Sequence, residues 1–398
     1  MSYKGIQFFW DKNGLHFKSF PFITGVYPLS HPPEGMPTYL PLEITFDTPS
    51  GIIHQKISSS TIQILNQAYR IGSMLSTPLG FGNINAPLFQ EILDLLHEVN
   101  RGISGRSFLE PGCGPGHLLL QLHKKGATKV IGCEPGQQGQ ALAKEYGVYI
   151  HQDIFRSEDF STDFDCVFHY GVLEHVLEPE AFLKDNAKCL RTNGVLLAIV
   201  PGCEEDLEMG NISMLAHEHL SYFTEASLIE LFKKTGLEKV GSRRLNFSHG
   251  ILAVWGFKPA SSQSARSLPS EAFLQMEMRR FEHFGKKLNN VINCLQNRAS
   301  ILNQDNRSLG LYGVPSPLAG LINFGKRLRC FDGDNTKFGF TFSGFQGSIE
   351  DPLNLIKNPV EELWILPIYH DSAIRNFLAK LLPSGHKVEI FSLRSLIT

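Results

Sequence analysis

The chain has 398 residues, of which 42% are hydrophobic and 19% are charged, and its formal net charge is −2. This length exceeds what one hydrophobic core serves and the composition is globular, so two or three folded domains are expected. The near-zero charge argues against a nucleic acid or an anionic membrane as partner. Because the sequence contains neither a membrane-spanning apolar run nor a signal-peptide pattern, we expect a soluble cytoplasmic protein.

The first 85 residues alternate short extended pieces with proline and glycine turns. This pattern predicts a small irregular or β module, with a short helix around 60–70. No cysteine precedes Cys113, and no two of the seven cysteines have the spacing of a structural zinc site. We therefore predict that the chain holds no metal.

Strands and helices alternate from residue 86 onward. Two strands joined by a turn, 237–245 and 251–257, close this region after a helix over 224–235. The alternation predicts an α/β fold, a Rossmann-like parallel sheet with an antiparallel hairpin at one edge. The earlier predicted strands are 107–110, 129–134, 148–152, 164–170 and 195–200, and the helices between them lie near 117–125, 137–146 and 179–191.

A polar stretch over 261–269 resembles a linker, and a long helix is expected after it, to about residue 303. Strand-like runs at 309–314, 328–332, 362–367 and 388–391 predict a second, smaller parallel sheet. The expected organisation is an N-terminal module over 1–85, a cofactor-binding domain over 86–260, a linker with the long helix over 261–307, and a C-terminal Rossmann-like domain over 308–398.

A glycine-rich loop follows the strand that ends at Glu110. Gly112, Gly114 and Gly116 allow the backbone to approach a ligand closely and present N–H groups at a helix N-terminus. A dinucleotide fingerprint would need glycine at 117, where this chain has histidine. Glu110 suits a cationic group such as the amino group of S-adenosylmethionine, so this molecule is the predicted cofactor.

Two further acids stand at the ends of the next strands. Glu134 is placed to accept both ribose hydroxyls of a nucleoside, and Asp153 to accept the adenine amino group. The alternative is that both acids are only helix N-caps. The remaining candidates for cofactor contact in this region are Pro135, Ile154, His169 and Tyr170.

These residues resemble class I methyltransferases that use S-adenosylmethionine. The resemblance is carried by the loop over 110–116, by Glu134-Pro135 and Asp153, and by the run over 170–175. It implies a methyltransferase sheet and a small-molecule acceptor.

Most of the chain looks more narrowly like the C-methyltransferases of nucleotide-linked 4-keto-deoxysugars. In that family a tyrosine-rich stretch closes over the cofactor, and Tyr69 lies at its place; the runs 311–314 and 332–339 resemble its C-terminal Rossmann-like domain. The chain departs from the family in lacking the four zinc cysteines of the N-terminal module. It also has Ala216 where the family's active-site motif begins with tyrosine.

The run over 217–223 resembles the family's active-site motif. The resemblance implies that His219, polarised by Glu218, removes the proton next to the keto group, with His217 and Tyr222 as supporting donors. Two alternatives remain open for the histidines, a structural anchor for the loop and a pair of metal ligands. We also expect that the two histidines cannot easily serve one function.

The leading hypothesis is therefore methyl transfer to a carbon of a nucleotide-linked keto sugar. An O- or N-methyltransferase acting on another small metabolite is the alternative that Ala216 favours. A protein that binds the cofactor or a nucleotide sugar without turnover is an alternative of another class. The sequence carries no signal for the identity of the acceptor or for the oligomeric state.

Overall fold

The computed structural model describes residues 8–11, 14–23, 25–30, 34–70, 86–136, 143, 145, 147–246, 250–260, 269–325 and 327–396. Two predictions fall largely outside these residues, the helix over 137–146 and the linker over 261–269. Among the helices that the structure describes, none has both the length and the apolar character needed to cross a membrane.

The strands follow the chain in the order that their labels give. They are β1 Phe8–Asp11, β2 Gly14–Pro21, β3 Tyr27–Pro28, β4 Tyr39–Asp47, β5 Ile52–Gln55, β6 Ser107–Pro111, β7 Lys129–Cys133, β8 Tyr149–His151, β9 Phe164–Tyr170, β10 Leu190–Pro201, β11 Ser221–Tyr222, β12 Glu238–Arg244, β13 Ile251–Phe257, β14 Leu309–Tyr312, β15 Leu328–Phe331, β16 Phe340–Thr341, β17 Ile349–Glu350, β18 Glu362–Ile365 and β19 Glu389–Ser392.

The α-helices and the short 3₁₀ segments lie between these strands. The α-helices are α1 Ser59–Arg70, α2 Ala86–Asn100, α3 His117–Lys124, α4 Pro179–Lys188, α5 Glu204–Met209, α6 Glu225–Lys234, α7 Glu271–Gln304, α8 Leu318–Leu321, α9 Asn354–Lys357 and α10 Asp371–Leu381. The 3₁₀ segments are Ser157–Asp159, Leu173–His175, Ile212–Met214, Asn335–Lys337 and Leu393–Leu396.

The chain groups into two compact units, each built from separate stretches of sequence. Unit 1 comprises Met1–Thr45, Asp206–His217 and Arg280–Thr398, and unit 2 comprises Phe46–Glu205 and Glu218–Arg279. The domain boundaries that we expect at residues 85, 260 and 307 stay predictions.

Unit 2 contains a seven-stranded sheet in the order β12-β13-β10-β9-β6-β7-β8. The five neighbouring strands β10, β9, β6, β7 and β8 are parallel to one another. By contrast, β13 is antiparallel to both of its neighbours, β10 and β12. This arrangement confirms the predicted Rossmann-like sheet with its antiparallel edge hairpin. The strand order reverses between β6 and β9, and ligands of such sheets bind at the carboxyl ends of the strands on either side of this point.

The core of unit 2 lies on both faces of this sheet. Phe108 and Phe168 belong to one buried cluster, and their chain neighbours Leu109 and Val167 belong to a second. Because successive side chains of a strand point to opposite faces, each central strand feeds both clusters. This explains why β9 is an almost continuous buried run, as expected for a central parallel strand.

Unit 1 contains a parallel sheet in the order β17-β15-β14-β18-β19. It confirms the predicted C-terminal Rossmann-like sheet, and the two-residue strand β17 is an addition to the predicted set. The N-terminal strands β1, β2 and β4 pair antiparallel in the same unit. Trp10 of β1 packs edge-on against Phe281 of α7, with ring centroids 4.9 Å apart.

Candidate active site

A cavity of about 600 Å³ lies in unit 2 at the carboxyl ends of β6, β7 and β9. This is the side of the sheet, and the point of strand-order reversal, at which ligands of open α/β sheets bind. The sequence-predicted site residues on its wall are Tyr69, Glu110, Gly112, Gly114, Glu134, Pro135, Ile154, Tyr170, Glu218 and His219.

The glycine-rich loop forms the floor between β6 and α3. Gly112 has φ 68° and Gly114 has φ 51°, both in the left-handed region that favours glycine. A Cβ added at Gly112 would lie 2.4 Å from Cγ2 of Val172, whereas one added at Gly114 would meet no atom within 4 Å in the part of the chain that the structure describes. Gly112 is therefore required by packing, and Gly114 leaves open space for a ligand. Gly116 is the N-cap of α3 and is not among the described residues of the cavity wall.

Glu110 ends β6 with a carboxyl group that is almost completely buried, at 4% relative exposure. Its Oε2 has no hydrogen-bond partner among the described residues. Burial, reinforced by the nearby charge of Glu134, raises the pKa of this carboxyl well above its usual range. A buried carboxylate costs free energy unless a positive group pairs with it, so this position suits the ammonium group of a ligand.

Glu134, after β7, braces the loop as well as facing the cavity. Its Oε2 accepts the backbone N–H of Gly114 at 3.0 Å, and its Oε1 accepts that of Gly136 at 2.8 Å. Burial raises the pKa of Glu134, and these two hydrogen bonds act in the opposite direction. A carboxylate group has about four acceptor sites, so this residue type is able to accept ribose hydroxyls as well as backbone N–H groups.

The third predicted acid, Asp153, is half exposed and is paired with Arg156 at 2.9 Å. It also accepts the backbone N–H of Ile154, its neighbour in the chain. Ile154 lines the cavity, and Asp153 is not among the described residues that do. Contact of Asp153 with adenine stays a prediction.

The structure brings Tyr170 to the cavity and does not bring His169 there. His169 is completely buried on the opposite face of β9, with its ring 5.4 Å from that of Phe182, because adjacent strand residues alternate in direction. Burial lowers the pKa of His169 to about 3 and raises that of Tyr170 to about 12. Contact of His169 with the cofactor stays a prediction.

A cluster of imidazole and carboxyl groups forms part of the cavity wall. The Nδ1 of His175 lies 2.7 Å from the backbone oxygen of Glu218 and 3.3 Å from the hydroxyl of Tyr69. Its Nε2 lies 3.8 Å from Oε1 of Glu174, and its ring centroid is 5.2 Å from that of His219. Burial raises the pKa of Glu174 to about 8, and burial together with His219 lowers that of His175 to about 3.

The structure separates the two histidines of the predicted active-site motif. His219 lines the cavity, whereas His217 is buried in unit 1 between the rings of Phe20 and Phe22 and donates to the backbone oxygen of Pro41. Tyr222 is buried on β11, with its ring 6.2 Å from that of His219. Neither His217 nor Tyr222 is on the described wall of the cavity, and their catalytic roles stay predictions.

Residues 84–241 match the family model described as a methyltransferase domain. This range contains the glycine loop, the three acids and the His219 segment. The chain is an S-adenosylmethionine-dependent methyltransferase. The predicted cofactor is thereby confirmed, and Glu110, with its unpartnered oxygen, is where the amino group of the cofactor is expected.

The methyltransferase is similar to several proteins of known activity. The ubiquinone biosynthesis O-methyltransferase of Aliivibrio fischeri is 25% identical over 177 residues, which are 39% of this chain and 74% of that protein. The C-methyltransferase NovU of Streptomyces niveus is 24% identical over 188 residues, 46% of this chain and 44% of that protein. The 1,6-didemethyltoxoflavin-N1-methyltransferase of Burkholderia thailandensis is a structural neighbour with a TM-score of 0.40 and 17% identity, covering 57% of this chain and 98% of that one.

Sequence reasoning missed part of the cavity of this methyltransferase. One face of α1 lines it with Ile62, Leu65 and Asn66, beside the predicted Tyr69. These four positions follow the helical spacing i, i+3, i+4 and i+7, so the periodicity of 60–70 is a usable signal for one buried face. Glu174 lies in the run over 170–175 that carries the methyltransferase resemblance, but no local pattern marks its burial in the cavity wall.

Proposed function

We propose that this methyltransferase methylates a carbon atom of a small, nucleotide-linked keto sugar. The observation that carries the proposal is a single cavity whose wall holds two chemically different groups of residues. One is the cofactor loop with Glu110 and Glu134, and the other is Glu174, His175 and His219. Its volume, about 600 Å³, falls within the range of about 300–1,000 Å³ typical of ligand sites.

Two features support the proposal. The first is the similarity to NovU, a C-methyltransferase, over nearly half of this chain, which supports transfer to carbon. The second is the parallel sheet of unit 1, whose order β17-β15-β14-β18-β19 matches the first five strands of the order 3-2-1-4-5-6 found in nucleotide-binding sheets. Unit 1 thereby supplies the kind of fold that binds nucleotides.

The proposed reaction requires a base beside the acceptor. The base removes the proton next to the keto group, the enolate carbon attacks the sulfonium methyl group in line, and S-adenosylhomocysteine leaves. His219 is the base that the sequence indicates, and its place on the cavity wall supports this role. Glu218 is buried next to it, at 1% relative exposure, and also lines the cavity.

The proposal is tested with S-adenosylmethionine that carries a ¹³C methyl group and a panel of nucleotide 4-keto sugars. We expect the label in a carbon-bound methyl group, identified by its ¹³C chemical shift, and a kcat at least about 100-fold lower for His219→Gln. A panel in which no keto sugar takes up label would reject the acceptor class.

O-methylation is the second candidate, and a specific similarity favours it. The ubiquinone biosynthesis O-methyltransferase of Aliivibrio fischeri aligns over 74% of its own length. An acceptor with an acidic hydroxyl supplies its own nucleophile, so His219→Gln would then retain most of its turnover. The chemical shift of the labelled methyl group separates the two candidates directly, because a methyl group on oxygen resonates apart from one on carbon.

A further inference from the structure

We propose that Glu174, His175 and His219 bind one divalent cation, which holds an oxygen atom of the acceptor. Each side chain offers one ligand atom, and these three atoms lie within 4.8 Å of one another. All three residues line the cavity, and Glu174 and His175 lie in the short 3₁₀ segment after β9. The inference rests on the proposed function only in requiring an acceptor with a keto or hydroxyl oxygen.

The spacing of the three ligand atoms suits a small cation. Zinc lies about 2.0–2.2 Å from imidazole nitrogen and carboxylate oxygen in a tetrahedral arrangement, so two of its ligand atoms are about 3.3–3.6 Å apart. His175 Nε2 and Glu174 Oε1 are 3.8 Å apart, slightly wider than this separation. Binding therefore requires the ligand atoms to draw together, by about 1 Å for a pair at the 4.8 Å limit.

The hydrogen bonds of His175 leave the correct nitrogen available. A backbone carbonyl only accepts, so Nδ1, which lies 2.7 Å from the oxygen of Glu218, carries the proton. The Nε2 therefore presents a lone pair toward Glu174. Histidines that bind metals donate their other ring N–H to a carbonyl or carboxylate in this same way, which fixes the tautomer and the ring.

Glu174 gives a second, independent indication of a cation. The residue is 3% exposed, and its Oε2 has no hydrogen-bond partner among the described residues. The described wall of the cavity includes no lysine or arginine to offset a carboxylate. The separation of 3.8 Å from His175 is too long for a hydrogen bond that would share a proton between them. Buried carboxylates are paired or bind metal, and here a metal ion fits between the two groups.

One carboxylate and two imidazoles form a ligand set for zinc, manganese or another first-row divalent ion. Three protein ligands leave positions open, and an acceptor oxygen bound there would have its anion stabilised by the cation. The acceptor proton would pass to a hydroxide on another open position, which becomes bound water. In this arrangement His219 is a ligand and the bound hydroxide takes its place as the base, so the inference keeps the proposed acceptor and replaces the proposed role of His219.

The test measures metal binding to the full chain without any acceptor. Chelator-treated protein is titrated with Zn²⁺ by calorimetry and with Mn²⁺ by electron paramagnetic resonance, in which bound ions lose the signal of free Mn²⁺. We expect one ion per chain and an affinity at least about 10-fold lower for Glu174→Gln. His123→Gln, an exposed histidine at the end of α3, serves as the matched control and should bind as the wild type does.

Binding of S-adenosylmethionine by each variant is the control that shows the variant to be folded. If Glu174→Gln does not fold, His219→Gln is used in its place. The inference would be overturned if the wild type did not bind one ion per chain. It would also be overturned if the Glu174 and His219 variants bound the ion as tightly as the wild type does. Cation binding without labelling of any keto sugar would keep the inference and reject the proposed acceptor. Full turnover after chelation that still depends on His219 would keep the base and reject the cation.

Discussion

At the scale of single residues, cofactor binding depends on the carboxyl group of Glu110, whose burial is unfavourable for its charged form. Glu110 is buried at the end of β6 with one oxygen unpartnered among the described residues. Its raised pKa shows that the surroundings penalise the charged form. The ammonium group of the cofactor removes that penalty on binding, so part of the binding free energy comes from relief of the buried charge.

Replacing Glu110 by glutamine tests this account. The substitution keeps the shape and removes the charge, so we expect S-adenosylmethionine to bind about 10- to 100-fold more weakly in calorimetry, the loss typical of a hydrogen bond to a charged group. The cofactor-free variant should be at least as stable to denaturant as the wild type, because it no longer buries an ionisable group. Glu180→Gln, at an exposed i,i+4 pair with Lys184, is the control and should change neither quantity. Unchanged affinity in Glu110→Gln would contradict the assignment.

At the scale of elements, the junction of β6, the glycine loop and α3 is shaped by the neighbouring strand as much as by the ligand. Val172 follows β9 and fills the space where a side chain at Gly112 would stand. The loop therefore packs against the end of the adjacent strand. A glycine here is required by both its φ and this contact.

A comparison of Gly112→Ala with Gly147→Ala separates the effect of the positive φ from that of the contact with Val172. Both glycines have φ 68°, but a Cβ at Gly147 meets no atom of the described residues within 4 Å. We expect Gly147→Ala to lower the free energy of unfolding by about 1 kcal/mol, from backbone strain alone. Gly112→Ala should lower it by a further 1–3 kcal/mol or so, from overpacking against Val172. Denaturant unfolding measures both, and equal losses would show that Val172 moves aside freely.

The elements themselves were largely predictable from the sequence, and their contacts were not. The alternation of apolar strands with helices predicted β6 to β10, the edge hairpin and the parallel sheet of unit 1. The proximity of Glu174 and His219 in the cavity wall is not predictable from the sequence, because the two residues lie 45 positions apart in the chain. Backbone hydrogen bonds bring them together, including one from Leu220 N–H to the oxygen of Glu174 at 2.6 Å. Local pattern does not specify such pairings.

At the scale of the whole molecule, unit 1 is assembled from three stretches that are far apart in the chain. Tyr39 donates to the backbone oxygen of Gly320 at 3.3 Å, and β3 pairs with β16. A hydrophobic pattern indicates that a segment has a buried face but does not identify its partner. For this reason the sequence predicted an N-terminal module and a C-terminal sheet as successive segments, without the contacts between them.

The cofactor should stabilise the unit that binds it, and hydrogen exchange resolves this along the chain. At free S-adenosylmethionine 100 times its Kd, unfolding of the binding unit costs about 2.7 kcal/mol more, which slows exchange through that opening about 100-fold. We expect this protection in β6, β7 and β9 of unit 2, and little change in β14, β15 and β18 of unit 1. Glu110→Gln at the same cofactor concentration should show much less protection. Equal protection of both sheets would mean that the chain opens as one cooperative body.

The double engagement of Glu134 has a practical consequence for engineering. Because its two oxygens hold Gly114 and Gly136, any substitution made there to accommodate a bulkier synthetic methyl donor would also loosen the loop that receives the donor. Ile154 lines the same cavity and is 57% exposed, so its side chain contributes little to the fold. Engineering of this enzyme to accept modified donors would therefore begin with Ile154→Ala. This substitution enlarges the cavity and leaves the hydrogen bonds of Glu134 to the loop in place.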